Sequence, residues 1–317
     1  MRAEASSLLP GNWRNRLVCE QTLKPEFDRL LAAGCKVVQR LDGQYDVGLC
    51  LLTKHKSENL VNIARAWELL APGGLLACSG EKNIGAGSIE NLVHEAFGVS
   101  GAISKFHCRV FWVFKPAVGG PVAPPAWLEL GCLRPNVEGI YLTRPGIFGW
   151  EKVDVGSRLL VENFPEVISG TVADFGAGWG YLSIQLLQRF QTIQKIDLYE
   201  AELLALEAAR ANLIRCKLGG RASFYWQDVA AGLPGGRRYD WVVMNPPFHA
   251  TRAVDIELGC AFITAASEAL RPDGSLVMVA NRHLPYERPL LQAFTSTRTV
   301  TEAQGFKVLL ATQPLTV

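Results

Sequence analysis

The sequence has almost no excess of charge of either sign. Its 317 residues carry 32 Lys and Arg against 30 Asp and Glu, which gives a formal net charge of +2 at pH 7. The net charge of the chain therefore gives no indication of a nucleic-acid partner. A local basic surface remains compatible with this balance, because net charge is an average over the whole molecule.

The chain also lacks paired cysteines and long apolar runs. Its eight cysteines are scattered singly, without a CxxC pair or a Cys/His cluster at zinc spacing, so we expect buried thiols in a reducing compartment and no metal site. No run of about eighteen uncharged apolar residues occurs, and the N-terminus has no continuous apolar core. We therefore expect a soluble cytoplasmic protein without a membrane-spanning helix or a secretory signal.

One stretch is dense in proline and glycine. Residues 115–127 read KPAVGGPVAPPAW, a composition that disfavours both a helix and a central strand. We interpret residues 117–127 as a linker between a domain at 1–116 and a domain at 128–317. Both have ordinary domain sizes.

Beyond the linker, short apolar runs alternate with helical patterns. Helices are predicted at Asp154–Phe164, Tyr181–Phe190, Ala201–Cys216 and Ala261–Leu270. Strands are predicted at Gly170–Phe175 and Ile193–Glu200, and within SFYWQD, YDWVVMNPPF and SLVMVAN. Strand–helix alternation of this kind predicts an α/β fold with a parallel, doubly wound sheet.

The two halves of the chain resemble each other. YDVGLCLL at Tyr45 aligns with YDWVVMNPP at Tyr239, and WELLAPGGLLACSGEKN aligns with SEALRPDGSLVMVANRH. Chance would explain one such match, but their order and spacing favour duplication. The N-terminal half has LLTKH where the C-terminal half has Asn-Pro-Pro-Phe, and it has no glycine-rich turn. We therefore expect two tandem Rossmann-like domains, of which the N-terminal copy is degenerate and the C-terminal copy is catalytic.

A glycine-rich turn follows the first predicted strand of the C-terminal domain. The sequence DFGAGWG contains Asp174, Gly176, Gly178 and Gly180, a GxGxG spacing that differs from the GxGxxG of dinucleotide binders. A carboxylate just before the glycines repels a pyrophosphate and attracts a cation. S-adenosylmethionine, which carries a sulfonium and an α-amino group, fits this arrangement, although a purely structural turn would have the same glycines.

Two further acids end the next two predicted strands. Glu200 is placed to accept both ribose hydroxyls, as the analogous acid does in dinucleotide folds, and Asp228 to accept the adenine amino group. Either residue alone would be read as a cap or a turn residue. Acids at three successive strand ends instead favour one cofactor site.

The sequence Asn245-Pro246-Pro247-Phe248 follows another predicted strand. Two prolines suit any loop that ends a strand. The residue types also favour a substrate-binding role for this loop. The Asn245 side-chain oxygen and the Pro246 carbonyl oxygen are two acceptors for the N–H groups of a conjugated amine. The Phe248 ring offers a face on which a flipped base stacks. These features predict methyl transfer to an amine, with Asn245, Pro246 and Phe248 as catalytic residues and Asn245 also at the cofactor.

The motif leaves the acceptor open among adenine N6, guanine N2 and a glutamine amide nitrogen. A non-catalytic RNA-binding or assembly module is the alternative from another class of protein, although the intact motifs of the second half disfavour it.

With these motifs in place, the chain resembles the bacterial rRNA guanine-N2 methyltransferases of the small-subunit type, the RsmC family. The resemblance extends over nearly the whole chain and includes RPGIFGWEKVDVGS (144–157), DFGAGWG, NPPFH (245–249) and NRHLPY (281–286). It departs from the family where Glu200 replaces the usual Asp, where Ala177 replaces Cys, and where Arg144 replaces the Leu of many members.

The resemblance implies transfer of a methyl group from S-adenosylmethionine to guanine N2 in 16S rRNA, with a degenerate N-terminal domain and a catalytic C-terminal domain. It further implies that an assembled small ribosomal subunit is the substrate. A close relative acting on the large subunit keeps 23S rRNA open as the acceptor. Oligomeric state is open as well, with a monomer favoured.

Several residues are weaker candidates. Pro247, Phe248, His249 and Phe148 are expected to contact the substrate base, and Trp179 to line a pocket, although buried aromatics are usually core. A set of basic residues in the N-terminal half is a candidate for contacts with RNA phosphates, although surface lysines are usually only solvated: Lys54, His55, Lys56 and Lys82.

Overall fold

The structure is a computed structural model that describes residues 2–5, 16–247 and 252–315, with only the backbone given for 252–255. It divides into two compact units. The N-terminal unit comprises Met1–Arg134 with Arg144–Gly146, and the C-terminal unit comprises Pro135–Thr143 with Ile147–Val317. No helix of the described ranges is both long and apolar enough to cross a membrane.

The N-terminal unit contains two small sheets and four helices in its described part. In chain order its elements are β1 (Val18–Glu20), α1 (Lys24–Ala32), β2 (Lys36–Val38), β3 (Tyr45–Leu51), α2 (Lys56–Leu69), β4 (Leu70–Glu81), α3 (Ala86–Phe97), β5 (Gly101–Lys105), β6 (Cys108–Phe114) and α4 (Pro125–Glu129). β1 and β2 pair in parallel, and the larger sheet has the order β3-β4-β6-β5. Its core includes Trp67 stacked on Phe97, with 4.2 Å between the ring centroids.

Residues 115–127 belong to this unit, and most of them are exposed. Pro125 occupies the first turn of α4, where the missing N–H has no intrahelical partner to lose, so the expectation that proline excludes a helix here is wrong. The Trp67 Nε1 donates to the Pro121 carbonyl at 3.0 Å, and Ala123 is buried. The boundary between the two units follows Arg134, downstream of the residues that we interpret as a linker.

The C-terminal unit contains a seven-stranded sheet flanked by helices. After the short pair β7 (Arg134–Pro135) and β8 (Leu142–Thr143), its elements are α5 (Val155–Glu162), β9 (Gly170–Phe175), α6 (Tyr181–Arg189), β10 (Ile193–Glu200), α7 (Leu203–Arg215), β11 (Ala222–Trp226), β12 (Tyr239–Met244), α8 (Arg252–Ala269), β13 (Leu270–Asn281), α9 (Glu287–Ala293), β14 (Phe294–Ala303) and β15 (Phe306–Pro314). The strand order is β11-β10-β9-β12-β13-β15-β14.

The first five strands of this order are parallel, and β15 and β14 are antiparallel to their neighbours. The α/β fold is therefore confirmed, but the prediction of a wholly parallel sheet is wrong at one edge. The reason lies in the turn Gln304-Gly305, where both residues have positive φ (53° and 82°) and join β14 to β15 as a tight hairpin. The central strands β9 and β12 are covered on both faces, and Val242, Val243 and Met244 have no exposed surface.

The two larger sheets share one topology. In each, a parallel strand pair is followed by an antiparallel hairpin, so that β3-β4-β6-β5 has the order and directions of β12-β13-β15-β14. The parallel pairs even share an irregularity near their start. In one, the register shifts after Tyr45 pairs with Leu70, and in the other after Tyr239 pairs with Leu270. Within the described residues, the four-stranded N-terminal sheet has no strands at the places of β9, β10 and β11, and the parallel pair β1–β2 forms a separate sheet.

Candidate functional site

Four parallel strands of the C-terminal unit end at the same edge of the sheet. Glu200 pairs with Trp226, Tyr199 pairs with Phe175, and Phe175 pairs with Met244. The loops that leave β11, β10, β9 and β12 therefore emerge side by side. This is the edge where open α/β sheets bind ligands, and it carries the predicted acids, glycines and Asn245.

The glycine-rich turn connects β9 to α6 in a left-handed conformation. Gly176, Gly178 and Gly180 have φ values of 73°, 54° and 88°, which side chains other than glycine rarely adopt. A Cβ at Gly180 would lie 3.0 Å from Leu213 Cδ1 and 3.2 Å from Ala209 Cβ, so this glycine lets α6 begin against α7. A Cβ at Gly178 would meet no atom within 4 Å. Gly178 therefore faces open space in which a ligand is able to approach the backbone.

Glu200 holds this turn from the end of β10. Its Oε2 accepts a hydrogen bond from the Gly178 N–H at 2.8 Å, and its Oε1 accepts one from the Glu202 N–H at 2.8 Å. Burial raises the pKa of Glu200, and the two backbone donors oppose that rise. The carboxylate thus fixes the Gly178 backbone and retains lone pairs for further donors.

Asp174 lies beneath the turn and has no exposed surface. Its Oδ2 accepts a hydrogen bond from the Ser183 hydroxyl at 2.6 Å, and its Oδ1 has no partner in the described part of the chain. Burial, reinforced by the charge of Glu200, raises the pKa of Asp174 to about 7. The structure therefore places Asp174 below the candidate site and not on its surface.

Asp228 caps a short 3₁₀ helix, Val229–Ala231, just after β11. Its Oδ1 accepts a hydrogen bond from the Ala230 N–H at 3.0 Å, and its side chain is half-buried. Asp228 therefore lies at the predicted edge of the sheet, where it caps this short helix. It does not line the cleft that contains Asn245.

One cleft brings several predicted residues together. It is lined by Phe148, Gly149, Asp154, Ser157, Gly176, Ala177, Gly178, Trp179, Tyr181, Leu182 and Asn245. Phe148, two glycines of the turn and Asn245 were predicted site residues, and Trp179 was a weaker candidate. The Trp179 Nε1 donates to the Gly149 carbonyl at 3.2 Å, and its ring centroid lies 5.7 Å from that of Tyr181. This part of the cleft therefore has an aromatic wall.

The side-chain amide of Asn245 is held in one orientation. Its Nδ2 donates to Asp154 Oδ2 at 3.0 Å and to Ser157 Oγ at 2.7 Å. Because an ionised carboxylate only accepts hydrogen bonds, the amide has to present its NH₂ group to Asp154. The Asn245 Oδ1 is buried and has no partner among the residues that the structure describes. Leaving a buried acceptor unpaired costs about 1–3 kcal/mol, which indicates that it accepts a ligand's donor.

Asp154 and Ser157 were not predicted as site residues. Asp154 is the N-cap of α5, and its Oδ2 also accepts the Ser157 N–H at 2.9 Å. The sequence signal was present, because Asp-x-x-Ser at the start of a predicted helix is an N-cap pattern. That pattern reveals the cap, but it does not reveal that the capping carboxylate also contacts an asparagine 91 residues away.

The other predicted residues differ in burial, and two of them are not described. Pro246 is buried and Pro247 is exposed. Phe248 and His249 lie outside the described residues. Of the eight cysteines, Cys19, Cys35, Cys50 and Cys78 are buried, whereas Cys132 is exposed. Within the described ranges, no group of three or more His, Cys, Asp or Glu side chains is arranged to hold a metal ion.

Comparison with known proteins gives a consistent result. The family model of the methyltransferase small domain matches residues 138–310. The chain is 29% identical over 288 residues to the ribosomal RNA small subunit methyltransferase C of Psychromonas ingrahamii, which covers 89% of this chain and 80% of that protein. It is 34% identical over 166 residues to the ribosomal RNA large subunit methyltransferase G of Shewanella amazonensis, which covers 52% of this chain and 43% of that protein.

A solved structure resembles nearly the whole chain. It is that of the T. thermophilus 16S rRNA N2 G1207 methyltransferase (RsmC) in complex with AdoMet and guanosine. The two structures superpose with a TM-score of 0.80 at 26% sequence identity, over 95% of this chain and 84% of that one.

Proposed function

The chain belongs to the methyltransferase small domain family, and from this membership we propose that it transfers a methyl group from S-adenosylmethionine to the exocyclic N2 of a guanine in 16S rRNA. The small-subunit relative and the solved RsmC structure each match more than four-fifths of this chain, whereas the large-subunit relative matches about half. The small-subunit acceptor is therefore the better supported of the two.

The residues at the edge of the sheet fit S-adenosylmethionine. Gly176 turns the chain with a positive φ, and Gly178 keeps the backbone open. Glu200 presents a carboxylate beside Gly178 for ribose hydroxyls, and Asp228 follows β11 on the side proposed for the adenine. Asp174 supports the same turn from below, and Gly180 allows α6 to begin there. S-adenosylmethionine supplies an electrophilic methyl group on its sulfonium.

The observation that carries the proposal is the unpaired Asn245 Oδ1. This oxygen and the Pro246 carbonyl oxygen are two acceptors for the two N–H bonds of the guanine amine. Accepting both draws the nitrogen toward tetrahedral geometry and directs its lone pair away from the ring system. Positioning and exclusion of water then supply most of the rate, and the proton is lost late without a strong base.

We assign contacts with the flipped base to the remaining candidates. Phe148 lines the cleft with 47% of its surface exposed, and Pro247 is exposed beside Asn245. Phe248, by its position in NPPF, offers a stacking face, and His249 a hydrogen-bonding group. The substrate in this proposal is the small subunit, methylated in the cytoplasm by a monomer.

We also propose that the N-terminal domain is a degenerate copy of the catalytic one. The shared strand order and the shared shift in register support this origin. In the described part of the chain, the four-stranded sheet of this copy has no strands at the places of β9 and β10, and the sequence of the N-terminal half has no glycine-rich turn. On this proposal, the C-terminal domain alone holds the cofactor.

The proposal is tested by incubating the protein with unmodified ribosomal subunits and tritiated S-adenosylmethionine, followed by nucleoside analysis. We expect label in N2-methylguanosine of 16S rRNA. Label in methyladenosine, in 23S rRNA or in protein would contradict the assigned acceptor. Failure to bind S-adenosylmethionine in calorimetry would instead favour a non-catalytic RNA-binding protein.

The same assay tests the amine-positioning role. Asn245→Ala removes the unpaired acceptor, so we expect methylation to be abolished while S-adenosylmethionine binding is largely retained. Asn163→Ala is the matched control, because the Asn163 side chain donates to the Leu159 carbonyl in α5 and does not line the cleft. Full activity of the Asn245 variant would rule out this role.

A further inference from the structure

We propose that the carboxyl edge of the N-terminal sheet is an RNA-binding surface, on which four lysines contact phosphates and the Phe106 ring stacks on an unpaired base. The inference rests on the proposed function, since it assigns to the N-terminal unit a part in binding the same rRNA. We call this surface the basic edge and define it by Lys54, Lys56, Lys82, Lys105 and Phe106.

The topology places these residues at one edge. β3 and β4 are parallel, so the segments after Leu51 and after Glu81 leave the sheet in the same direction. β6 is antiparallel to β4, with Glu81 opposite Cys108, so the turn between β5 and β6 lies at that edge too. The Lys82 N–H donates to the His107 carbonyl at 2.9 Å, which ties the hairpin turn to the end of β4.

The four lysines of the basic edge are exposed and form no ion pair within the described part of the chain. Of the acids nearby, Glu58 is buried and paired with Arg2, and Glu90 is held by Arg109 at 2.6 Å. Glu81, at the end of β4, is exposed.

The opposite edge of the same sheet carries both signs. Exposed acids lie before and at the start of β3 and at the end of α2, at Asp42, Asp46 and Glu68, and the exposed Arg40 lies two residues before Asp42. The basic edge, with four exposed lysines and the exposed Glu81, is therefore a local excess of positive charge, which is compatible with a net charge near zero for the whole molecule.

Phe106 is the second, independent observation. It is 91% exposed and has a φ of 49°, and its neighbour His107 has a φ of 59°. These two residues form the two-residue loop of the β5–β6 hairpin, where left-handed backbone favours Asn-Gly. A large aromatic residue is a poor choice for that backbone and gains little from packing, so its presence there points to a ligand.

An exposed aromatic ring flanked by lysines is the arrangement that binds single-stranded RNA, because lysines contact phosphates while the ring stacks on a base. An acidic protein surface would satisfy the lysines, but it would leave the ring in water. A single-stranded RNA would therefore contact both the lysines and the Phe106 ring.

The first test compares two double charge reversals of the full chain. Lys82→Glu with Lys105→Glu changes the basic edge, whereas Lys36→Glu with Arg40→Glu makes the same charge change at exposed residues in and just after β2. Binding to protein-free 16S rRNA and to small subunits is measured by filter binding over a range of salt concentrations. For the first pair we expect about tenfold weaker binding at roughly 0.15 M salt, and a log–log salt dependence that is shallower by about 1 to 2. The control pair should bind at least fivefold more tightly than the first pair.

The second test separates stacking from charge and from folding. Asn tolerates left-handed backbone better than Phe, so Phe106→Asn should keep or raise the melting temperature. We expect it to weaken RNA binding about five- to tenfold without changing the salt dependence, because a stacked ring releases no counterions. In methylation assays both the Lys and the Phe106 variants should raise KM for the rRNA substrate and leave kcat and cofactor affinity unchanged.

Wild-type RNA affinity in folded variants of both kinds would overturn the inference and leave the proposed function standing. Weakened binding to small subunits but not to protein-free rRNA would also overturn it. If the wild-type protein binds rRNA through the basic edge but methylates another acceptor, the inference stands and the proposed function fails.

Discussion

At the scale of single residues, the candidate site depends on which way one amide faces. An asparagine side chain has a donor end and an acceptor end of nearly equal size, so the identity of Asn245 does not fix which end meets a ligand. Asp154 decides it, because its carboxylate accepts from the NH₂ end. The sequence predicted Asn245 as an acceptor, and the structure adds the residues that make it one.

We predict that Asp154→Asn lowers kcat about 10- to 100-fold, the cost of a small misplacement at a reacting group. An amide at position 154 is able to donate as well as accept, so it no longer fixes the orientation of Asn245. Asn is as good an N-cap as Asp, so α5 and the melting temperature should be preserved. Single-turnover methylation measures the effect, and Ser157→Ala should give a smaller loss because Asp154 still holds the amide. An unchanged kcat in Asp154→Asn would show that the carboxylate does not orient Asn245.

A second residue-scale prediction concerns Asp174 and pH. Its ordinary pKa is 3.8, and in the folded protein burial raises the pKa to about 7. Between these values the unfolded chain has released a proton that the folded chain keeps. The Asp174 contribution to the free energy of unfolding therefore falls as pH rises from about 4 to 7, by up to about 1.4 kcal/mol per pH unit.

Urea unfolding of the ligand-free protein at several pH values in this window should show that decline, and Asp174→Asn should make it shallower, with a remainder from Glu200, whose pKa burial also raises. Asp240→Asn is the control, because burial of Asp240 is outweighed by the Thr171 donors and Arg271, and the pKa of Asp240 is lowered. Because its pKa is lowered, ionisation of Asp240 changes the free energy of unfolding below about pH 4 and not between pH 4 and 7. Equal pH slopes for the wild type and Asp174→Asn would mean that Asp174 ionises freely in the folded state.

At the scale of elements, the sequence predicted β9 and β10 most accurately, the strands that lead into the glycine-rich turn and end at Glu200. β9 and β10 have the predicted limits, because each is a short buried apolar run ended by a glycine or an acid. α8 begins at Arg252, nine residues before the predicted Ala261, because charged residues in the segment hide its helical pattern. β14 was not predicted, since its sequence FTSTRTVTEA is polar and its stability comes from pairing with β15 at the edge of the sheet.

The contact between β10 and the turn gives an element-scale prediction. Glu200→Gln keeps the length of the side chain but sets an NH₂ group against one of two backbone N–H donors, which costs about 1–3 kcal/mol. We expect at least tenfold weaker S-adenosylmethionine binding in calorimetry. Glu200→Asp keeps the charge and loses reach, so it should bind more tightly than the Gln variant. The control Glu207→Gln, at an exposed position on α7, should match the wild type. If both Glu200 variants also matched the wild type, the carboxylate would have no part in holding the turn.

At the scale of the whole molecule, two sheets of one topology carry different surfaces at their carboxyl edges. In the C-terminal unit that edge has glycines, Glu200 and an unpaired amide oxygen, whereas in the N-terminal unit it has exposed lysines. The motif matches between the halves predicted the repeat. They did not predict that, in the described part of the chain, the parallel pair β1–β2 lies outside the four-stranded sheet, because the matched segments begin only at Tyr45.

If one copy alone has kept its chemistry, each chain should bind one S-adenosylmethionine. Gly178→Ala tests this, because the added Cβ meets no protein atom and enters the space proposed for the ligand. Gly85→Ala is its match in the N-terminal unit, since Gly85 also has positive φ, follows a strand end and has no atom within 4 Å of the added Cβ. Both substitutions carry a similar backbone strain of roughly 1–2 kcal/mol. Calorimetry should give a stoichiometry near one for the wild type and for Gly85→Ala, and no measurable binding for Gly178→Ala. A stoichiometry near two, or binding that survives in Gly178→Ala and disappears in Gly85→Ala, would mean that the N-terminal copy still holds a cofactor.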